Sequence, residues 1–520
     1  MNETTNEESS RRDFFRKGLS VAGAAALWSV GGNATVYAAT FTADELIYMS
    51  AEELIPLFKT AKLSPVDLLK AQISRYEAVG KLTNSVTYTH FDTAMEQAKE
   101  SERRYANGTA RALEGITVAV KDEHHDKGWI ITQGSNLFKD DRMNHADPIV
   151  TKLKEAGAVL HLQTTVPEFY LNGVTWTKLW GVSRCPWNLK YAVGGSSGGS
   201  GGSLAAGFCT LATGSDMGGS VRLPCAYNGL YGFKPPFGRI VTPIPLSYYS
   251  GTGPMARTFH DMALLHNVMT GQTAHGPATL PKLVMPLTYP GIKGMKIAYS
   301  AGLRLAPLDS DTKKGMTAAI EDLRSLGAEV VEIDLDPGFT GGEIMEIFSK
   351  GVLGTALGGV FASYIDRTDE MTDYAAYFVK KAAKGEYGAV EIAEYEAHIK
   401  DFYVRVSDAV FENGYDALIM PTLATPHVPA DYDPTKGGLV VEGQKMDKQF
   451  ILALTIPWNF LNWCPVVNVP TRLSSQGMPM GMQIVGKPYD DLKVFQIASA
   501  YESVASKLFR GKQKPDFRKK

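Results

Sequence analysis

Residues 194–222, GGSSGGSGGSLAAGFCTLATGSDMGGSVR, constrain this chain more than any other stretch. Glycine and serine runs usually form flexible linkers. This one passes without a break into LAAGFCTLATGSD, which is apolar enough to be buried, and then into GLYGFKP. A phosphate cradle is the second reading, but there is no GxxxxGK[ST], and the glycine pairs match no dinucleotide fingerprint. What remains is a backbone that runs close to something and adopts conformations needing glycine.

The surroundings are globular. The 520 residues are 44% hydrophobic and 21% charged, which excludes disorder, collagen and coiled coil. At about 150 residues per domain the length suggests three domains, though one large α/β domain also fits. Helix signals open the chain: Ser50 with Glu53 forms a capping box before LIPLF, and Ser64-Pro65 starts VDLLKAQISRYEAV. A helix is expected over 93–105, and GITVAV reads as a buried strand ending at Lys121. PIVTKLKEAG then AVLHLQT, and MKIAYS, TKKGMTAAIEDLRSLG then EVVEIDL, alternate helix with apolar strand. ALIMPT, PVVNVP, GMQIVG and a helix over 492–508 complete the pattern, which predicts an α/β fold: a large mixed sheet flanked on both faces by helices.

Residues 1–39 read as an address. Arg11-Arg12-Asp13-Phe14-Phe15 precedes the short apolar stretch GLSVAGAAALWSVGG and small residues around Ala38. The paired arginines resemble a twin-arginine export signal, so the translocation machinery is an expected transient partner and a periplasmic or secreted location the expected destination. Residues 40–520 are then expected to form a single domain without a membrane span. With 53 basic and 55 acidic residues the net charge is -2, which leaves no electrostatic footprint for nucleic acid. Cys185, Cys209, Cys225 and Cys464 lack CxxC spacing and read as buried small hydrophobes, Cys209 included.

GGSSGGSGGSLAAG followed by GSDMGGSVRLP, with VAVKD upstream, resembles the amidase signature family. Lys121, Ser196 and Ser220 fall 75 and 24 residues apart, the latter as that family leads one to expect. The similarity continues through TTVPEF, RCPWN, GLYGFKP, YDALIMPT, PVVNVP and GMQIVG. Departures are Cys185 where Asn is common, Ser215 where Thr is usual, and Gly201-Gly202-Ser203 in place of an Ala-rich run; they bear on the substrate pocket.

The resemblance implies an amidohydrolase with no cofactor and no metal. Amide hydrolysis needs an activated nucleophile, a proton shuttle and oxyanion stabilisation. Carried over by residue, Ser220 is the nucleophile, Ser196 beside a cis peptide bond after Gly195 relays the proton, and Lys121 is the general base. Burial away from any fixed carboxylate is expected to depress the Lys121 pKa, with Asp122 on the opposite face of the strand. The N–H groups of Met217, Gly218, Gly219 and Ser220 are expected to form the oxyanion hole, with Asp216 and Arg222 paired to hold the turn.

Other residues carry weaker expectations. Trp176, Trp180, Trp458 and Phe460 are candidates for an apolar substrate pocket, against the alternative of ordinary core. His124 and His125 lack zinc-site spacing. The helix-rich stretch 340–410 and the loop at 425–450 are expected to shape the entrance. The expected function is an exported amidase converting a small-molecule carboxamide to acid plus ammonia or amine, with side esterase activity and a homodimer as an allowed assembly. Two alternatives stand beside it: the catalytic A subunit of a tRNA-dependent amidotransferase, and a non-catalytic binding protein on the same fold.

Overall fold

Alternating apolar strands and amphipathic helices pair much as the sequence directs. The computed structural model describes residues 41–242, 248–446 and 452–517. The segment read as an export signal lies outside these residues. The chain divides into two units, Met1–Leu46 and Ile47–Lys520. The described part of the first contains one short helix, Ala43–Leu46.

The second unit is built on one sheet of eleven strands: β1 Val86–Thr89, β2 Thr117–Lys121, β3 Val159–Thr164, β4 Leu211–Asp216, β5 Tyr231–Lys234, β6 Gly251–Ala256, β7 Lys296–Tyr299, β8 Glu329–Glu332, β9 Ala417–Pro421, β10 Val466–Leu473 and β11 Pro479–Val485. Their spatial order is β1-β3-β2-β4-β6-β5-β10-β11-β9-β7-β8. Pairing is parallel for β3-β2-β4 and for β9-β7-β8, and antiparallel elsewhere, so the sheet is mixed. Strand β6 carries Gly251, Gly253 and Pro254, residues that weaken a strand signal, yet Pro254 pairs with Thr213 in mid-sheet.

The caps form as their residues dictate. Ser50 accepts the Glu53 N–H while Glu53 accepts the Ser50 N–H at 2.8 Å. Ser64 accepts from Val66, with Pro65 at the first helical position. Helices at Phe91–Ala106, Pro148–Glu155, Ser310–Ser325 and Asp491–Val504 match the expected segments within a few residues. Residues 340–410 fold as helices Ile344–Leu353, Ala356–Ala362, Asp373–Ala383 and Ala389–Val406, which share one apolar core with β9, β10 and the segment around Trp458. All four cysteines are free and buried. Among the described residues no helix is long and apolar enough to cross a membrane.

The glycine and serine run forms a wholly buried helix, Gly198–Ala206, leading through a loop into β4. Four glycines in nine residues make a poor helix by propensity. Packing overrides this: a Cβ on Gly199 would lie 2.3 Å from the Thr165 N and 2.5 Å from the Ser85 O, so the backbone lies directly against its neighbours. After β4 a tight turn leads into a second buried helix, Arg222–Asn228, capped by Gly229 in the left-handed region.

Candidate active site

The carboxyl ends of two adjacent parallel strands meet here. Strand β2 ends at Lys121 and β4 ends at Asp216, and the Lys121 N–H donates to Thr213 Oγ1 at 3.0 Å. The Lys121 side chain is fully buried, and its Nζ donates to Ser196 Oγ at 2.8 Å. The Gly195–Ser196 peptide is cis. Gly195 is required by contact, since a Cβ there would fall 2.5 Å from the Asn172 carbonyl oxygen. Ser196 is itself 1% exposed, so the lysine and its hydroxyl partner sit out of water together.

Ser220 lies in the turn after β4 and is 8% exposed. The Ser197 N–H donates to the Ser220 carbonyl at 3.2 Å, which ties this turn to the segment bearing Ser196. Among the described residues the Ser220 hydroxyl has no hydrogen-bond partner. Catalytic hydrogen bonds commonly close only when substrate is bound.

The turn itself hangs on one carboxylate. Asp216 accepts the N–H groups of Gly219 at 2.9 Å, Val221 at 3.2 Å and Arg222 at 3.3 Å. This corrects the expected oxyanion hole, because the Gly219 N–H is occupied by Asp216. The N–H groups of Met217, Gly218 and Ser220 have no acceptor among the described residues, and these three are the available donors. Gly219 has φ +119°, and a Cβ there would fall 2.3 Å from Thr455 Oγ1, so it is the turn's backbone that needs glycine rather than the donor set. A Cβ on Gly218 would only reach ordinary contact with Ile456, at 3.4 Å. Asp216 and Arg222 form the expected pair, both fully buried. Against the burial that would raise it, Arg222 and Asn459 hold the Asp216 carboxyl far below the usual carboxylate range.

The expectation of a lysine without a carboxylate partner is also corrected. Glu123 Oε2 lies 3.0 Å from Lys121 Nζ. The chain turns at once after β2, the N–H groups of Glu123 and His124 both donating to the Lys121 carbonyl, and this brings Glu123 back beside its neighbour. Burial still lowers the Lys121 pKa, with Glu123 opposing the shift. Asp122 does point away, accepting from the Thr132 N–H at 3.1 Å and from its hydroxyl, and burial pushes its carboxyl up to about 6.

Ser215 Oγ accepts from Lys121 Nζ at 2.7 Å. The Tyr170 ring lies 5.0 Å from that same nitrogen, and its hydroxyl donates to the Asp122 carbonyl. Phe169 and Tyr170 both have positive φ, 53° and 65°, an uncommon backbone for aromatic residues that the fold spends on placing this ring. Glu123, Ser215 and Tyr170 were missed as site residues. An acid two positions after the lysine was the available signal for Glu123, and the Ser-for-Thr departure marked Ser215; Tyr170 had none.

The aromatic pocket candidates divide. Trp458 is 0% and Phe460 3% exposed, and both belong to the core, Trp458 beside Phe402 and Phe460 between Phe339 and Tyr395. Both pack in the apolar core, in line with the core alternative. Trp176 and Trp180 are half-buried, donating to the Tyr432 carbonyl and to Thr132 Oγ1. His124 lies 3.3 Å from Asp147, and His125 meets His145 edge-on. Among the described residues the group with metal-ligand geometry is Asp309, Asp311 and His427, where the imidazole lies 3.4 and 3.8 Å from the two carboxylates.

A family model described as Amidase matches residues 67–495. The chain is 29% identical over 490 residues to the A subunit of glutamyl-tRNA(Gln) amidotransferase from Geobacter sp. (strain M21), covering 88% of this chain and 97% of that one. To the protein of the same name from Carboxydothermus hydrogenoformans (strain ATCC BAA-161 / DSM 6008 / Z-2901) it is 30% identical over 491 residues, with coverage of 88% and 97%. Among solved structures, a bacterial aryl acylamidase described as belonging to the amidase signature enzymes superposes with a TM-score of 0.80 at 26% identity, covering 88% of this chain and 96% of that one.

Proposed function

This chain belongs to the Amidase family, an amide-hydrolysing enzyme on the amidase signature fold, and from that premise we propose that it cleaves a carboxamide through an acyl-enzyme on Ser220. The observation that carries the reading is the 2.8 Å hydrogen bond from a fully buried Lys121 to Ser196, next to the turn bearing Ser220, where among the described residues the N–H groups of Met217, Gly218 and Ser220 have no acceptor. Neutral Lys121 takes the Ser196 proton as Ser196 takes the Ser220 proton. Ser220 Oγ then bonds to the carbonyl carbon, and the oxygen's negative charge falls among the N–H groups of Met217, Gly218 and Ser220. One such donor is worth about 2.7–4 kcal/mol to a transition state. When the C–N bond breaks, the proton returns through Ser196 to the leaving nitrogen, and water releases the acid by the reverse relay.

Two settings share this chemistry. The curated relatives favour the amidotransferase setting, in which the chain serves as the catalytic A subunit of a glutamyl-tRNA(Gln) amidotransferase. The stand-alone setting is supported by the likeness to the aryl acylamidase and by the Arg11-Arg12-Asp13-Phe14-Phe15 leader, which makes export our proposed route. Assaying the purified chain on glutamine, acetamide, an aryl amide, a peptide amide and a fatty amide separates the two. Turnover of an aryl, peptide or fatty amide by the chain alone supports the stand-alone enzyme. Activity confined to glutamine, and only with tRNA and partner proteins, supports the amidotransferase setting. No turnover under either condition contradicts the proposal.

A further inference from the structure

Among the described residues Lys121 Nζ has three polar partners, and the relay uses one of them. The remaining two are Ser215 Oγ at 2.7 Å and Glu123 Oε2 at 3.0 Å, and the Ser215 hydroxyl donates onward to Glu123 Oε2 at 2.5 Å. A closed triangle of lysine nitrogen, hydroxyl and carboxylate therefore stands beside the relay. A buried carboxylate opposes a base that must start neutral. It favours the same base once that base has become a cation, which is how the aspartate serves the imidazolium of a Ser-His-Asp triad.

We infer that Glu123 is a positioning residue that stabilises the ammonium formed on Lys121 during acylation, with Ser215 holding the two groups at bonding distance. This rests on the reading of Lys121 as the base. The proton balance is simple: Ser220 loses a proton to Ser196, Ser196 loses one to Nζ, and Glu123 keeps its own proton count while its negative charge meets the new positive one.

The other charged groups facing Lys121 are committed elsewhere. Asp122, on its own turn, accepts from Thr132. Asp216, from the end of β4, is paired with Arg222. Tyr170, from the loop after β3, presents its ring face. Behind Glu123 stands His124, itself beside Asp147. Among the described residues Glu123 alone forms an ion pair with Lys121 Nζ. Burial lowers the Lys121 pKa and Glu123 raises it, so removing the carboxylate lets the lysine fall further.

The test is the pH dependence of the rate at which a fluorophosphonate labels Ser220, which needs no known substrate. In Glu123→Gln the acidic limb of the profile should move to lower pH by about one unit, and the plateau rate should fall on the order of tenfold. Glu123→Asp, which keeps the charge, should move the limb less. Ser215→Ala, which leaves the carboxylate in place, should move it in the same direction by a smaller amount and covers the case in which Glu123→Gln fails to fold. A limb that stays put in both Glu123→Gln and Ser215→Ala, or in Ser215→Ala alone should Glu123→Gln not fold, overturns the inference whatever happens to the plateau. Lys121→Ala separates the two levels: normal labelling there removes the base assignment itself, whereas lost labelling with an unmoved Glu123→Gln limb removes only the role of Glu123.

Discussion

Arg222 and Asp216 meet through two hydrogen bonds, Nε to Oδ2 at 2.9 Å and Nη2 to Oδ1 at 2.8 Å, with both side chains fully out of water. The remaining guanidinium hydrogens reach Gln483 Oε1 at 2.6 Å, Asn459 Oδ1 at 2.7 Å and the Thr455 carbonyl at 2.9 Å. Because the same carboxylate accepts three N–H groups of the turn bearing Ser220, this pair fastens that turn to β11 and to the 455–459 segment. The turn is held through its carboxylate side, while among the described residues the N–H groups of Met217, Gly218 and Ser220 have no acceptor.

Breaking that pair should therefore cost stability as well as activity. Arg222→Ala leaves the Asp216 carboxylate buried without its ion-pair partner, a loss of about 3–5 kcal/mol in folding free energy. Urea denaturation reads this directly. A loss of about 1 kcal/mol or less, the range of an exposed pair, would mean the pair does not brace the turn.

The two glycines of the turn should behave differently on substitution by alanine. Gly219→Ala forces a side chain into the Thr455 hydroxyl at a backbone angle that L residues rarely adopt, and should abolish labelling of Ser220 and lower stability by about 1–3 kcal/mol. Gly218→Ala meets only Ile456 at contact distance and should fold normally. Equal effects of the two on the denaturation midpoint would count against this description of the turn.

His161 provides a pH prediction independent of catalysis. Its Nε2 lies 2.7 Å from the Phe208 carbonyl, and burial pushes its pKa down to about 4. Between that value and the unfolded value of about 6.5, the unfolded chain holds a proton the folded chain refuses, so this term is complete above about pH 6.5 and is lost as the pH falls toward 4. Relative to His161→Gln, which retains a donor for Phe208, the wild type should lose about 1.4 kcal/mol per pH unit within that window. Urea midpoints measured from pH 7 to 4.5 check it, and a constant difference between the two proteins contradicts it.

Much of the sheet could be read in advance because β2, β3, β9, β10 and β11 are runs of aliphatic and β-branched residues whose burial is local in sequence. Strand β6 could not, since Gly251, Gly253 and Pro254 weaken every strand signal and only the long-range pairing with β4 makes it a strand. The relay residues Lys121 and Ser196 were placed through family motifs, and the structure joins them. What those motifs did not contain was the turn after Lys121, which folds Glu123 back, or the left-handed backbone at Tyr170, which aims a ring at the lysine. The motif alone places Gly219 among the oxyanion donors, whereas its N–H is taken by a carboxylate three residues earlier in the chain. Trp458 and Phe460 looked like pocket residues because aromatic content alone does not distinguish a core face from a ligand face.

The export proposal has its own short test. Protein recovered from outside the cytoplasm should begin near residue 39 on N-terminal sequencing, and a chain found only in the cytoplasm with its leader intact contradicts it.

Intact-mass analysis and peptide mapping after fluorophosphonate treatment test the catalytic account most directly. The account predicts a single adduct on Ser220, absent in Ser220→Ala and strongly slowed in Lys121→Ala and Ser196→Ala. An adduct on a different residue, or undiminished labelling of Ser220→Ala, would contradict it.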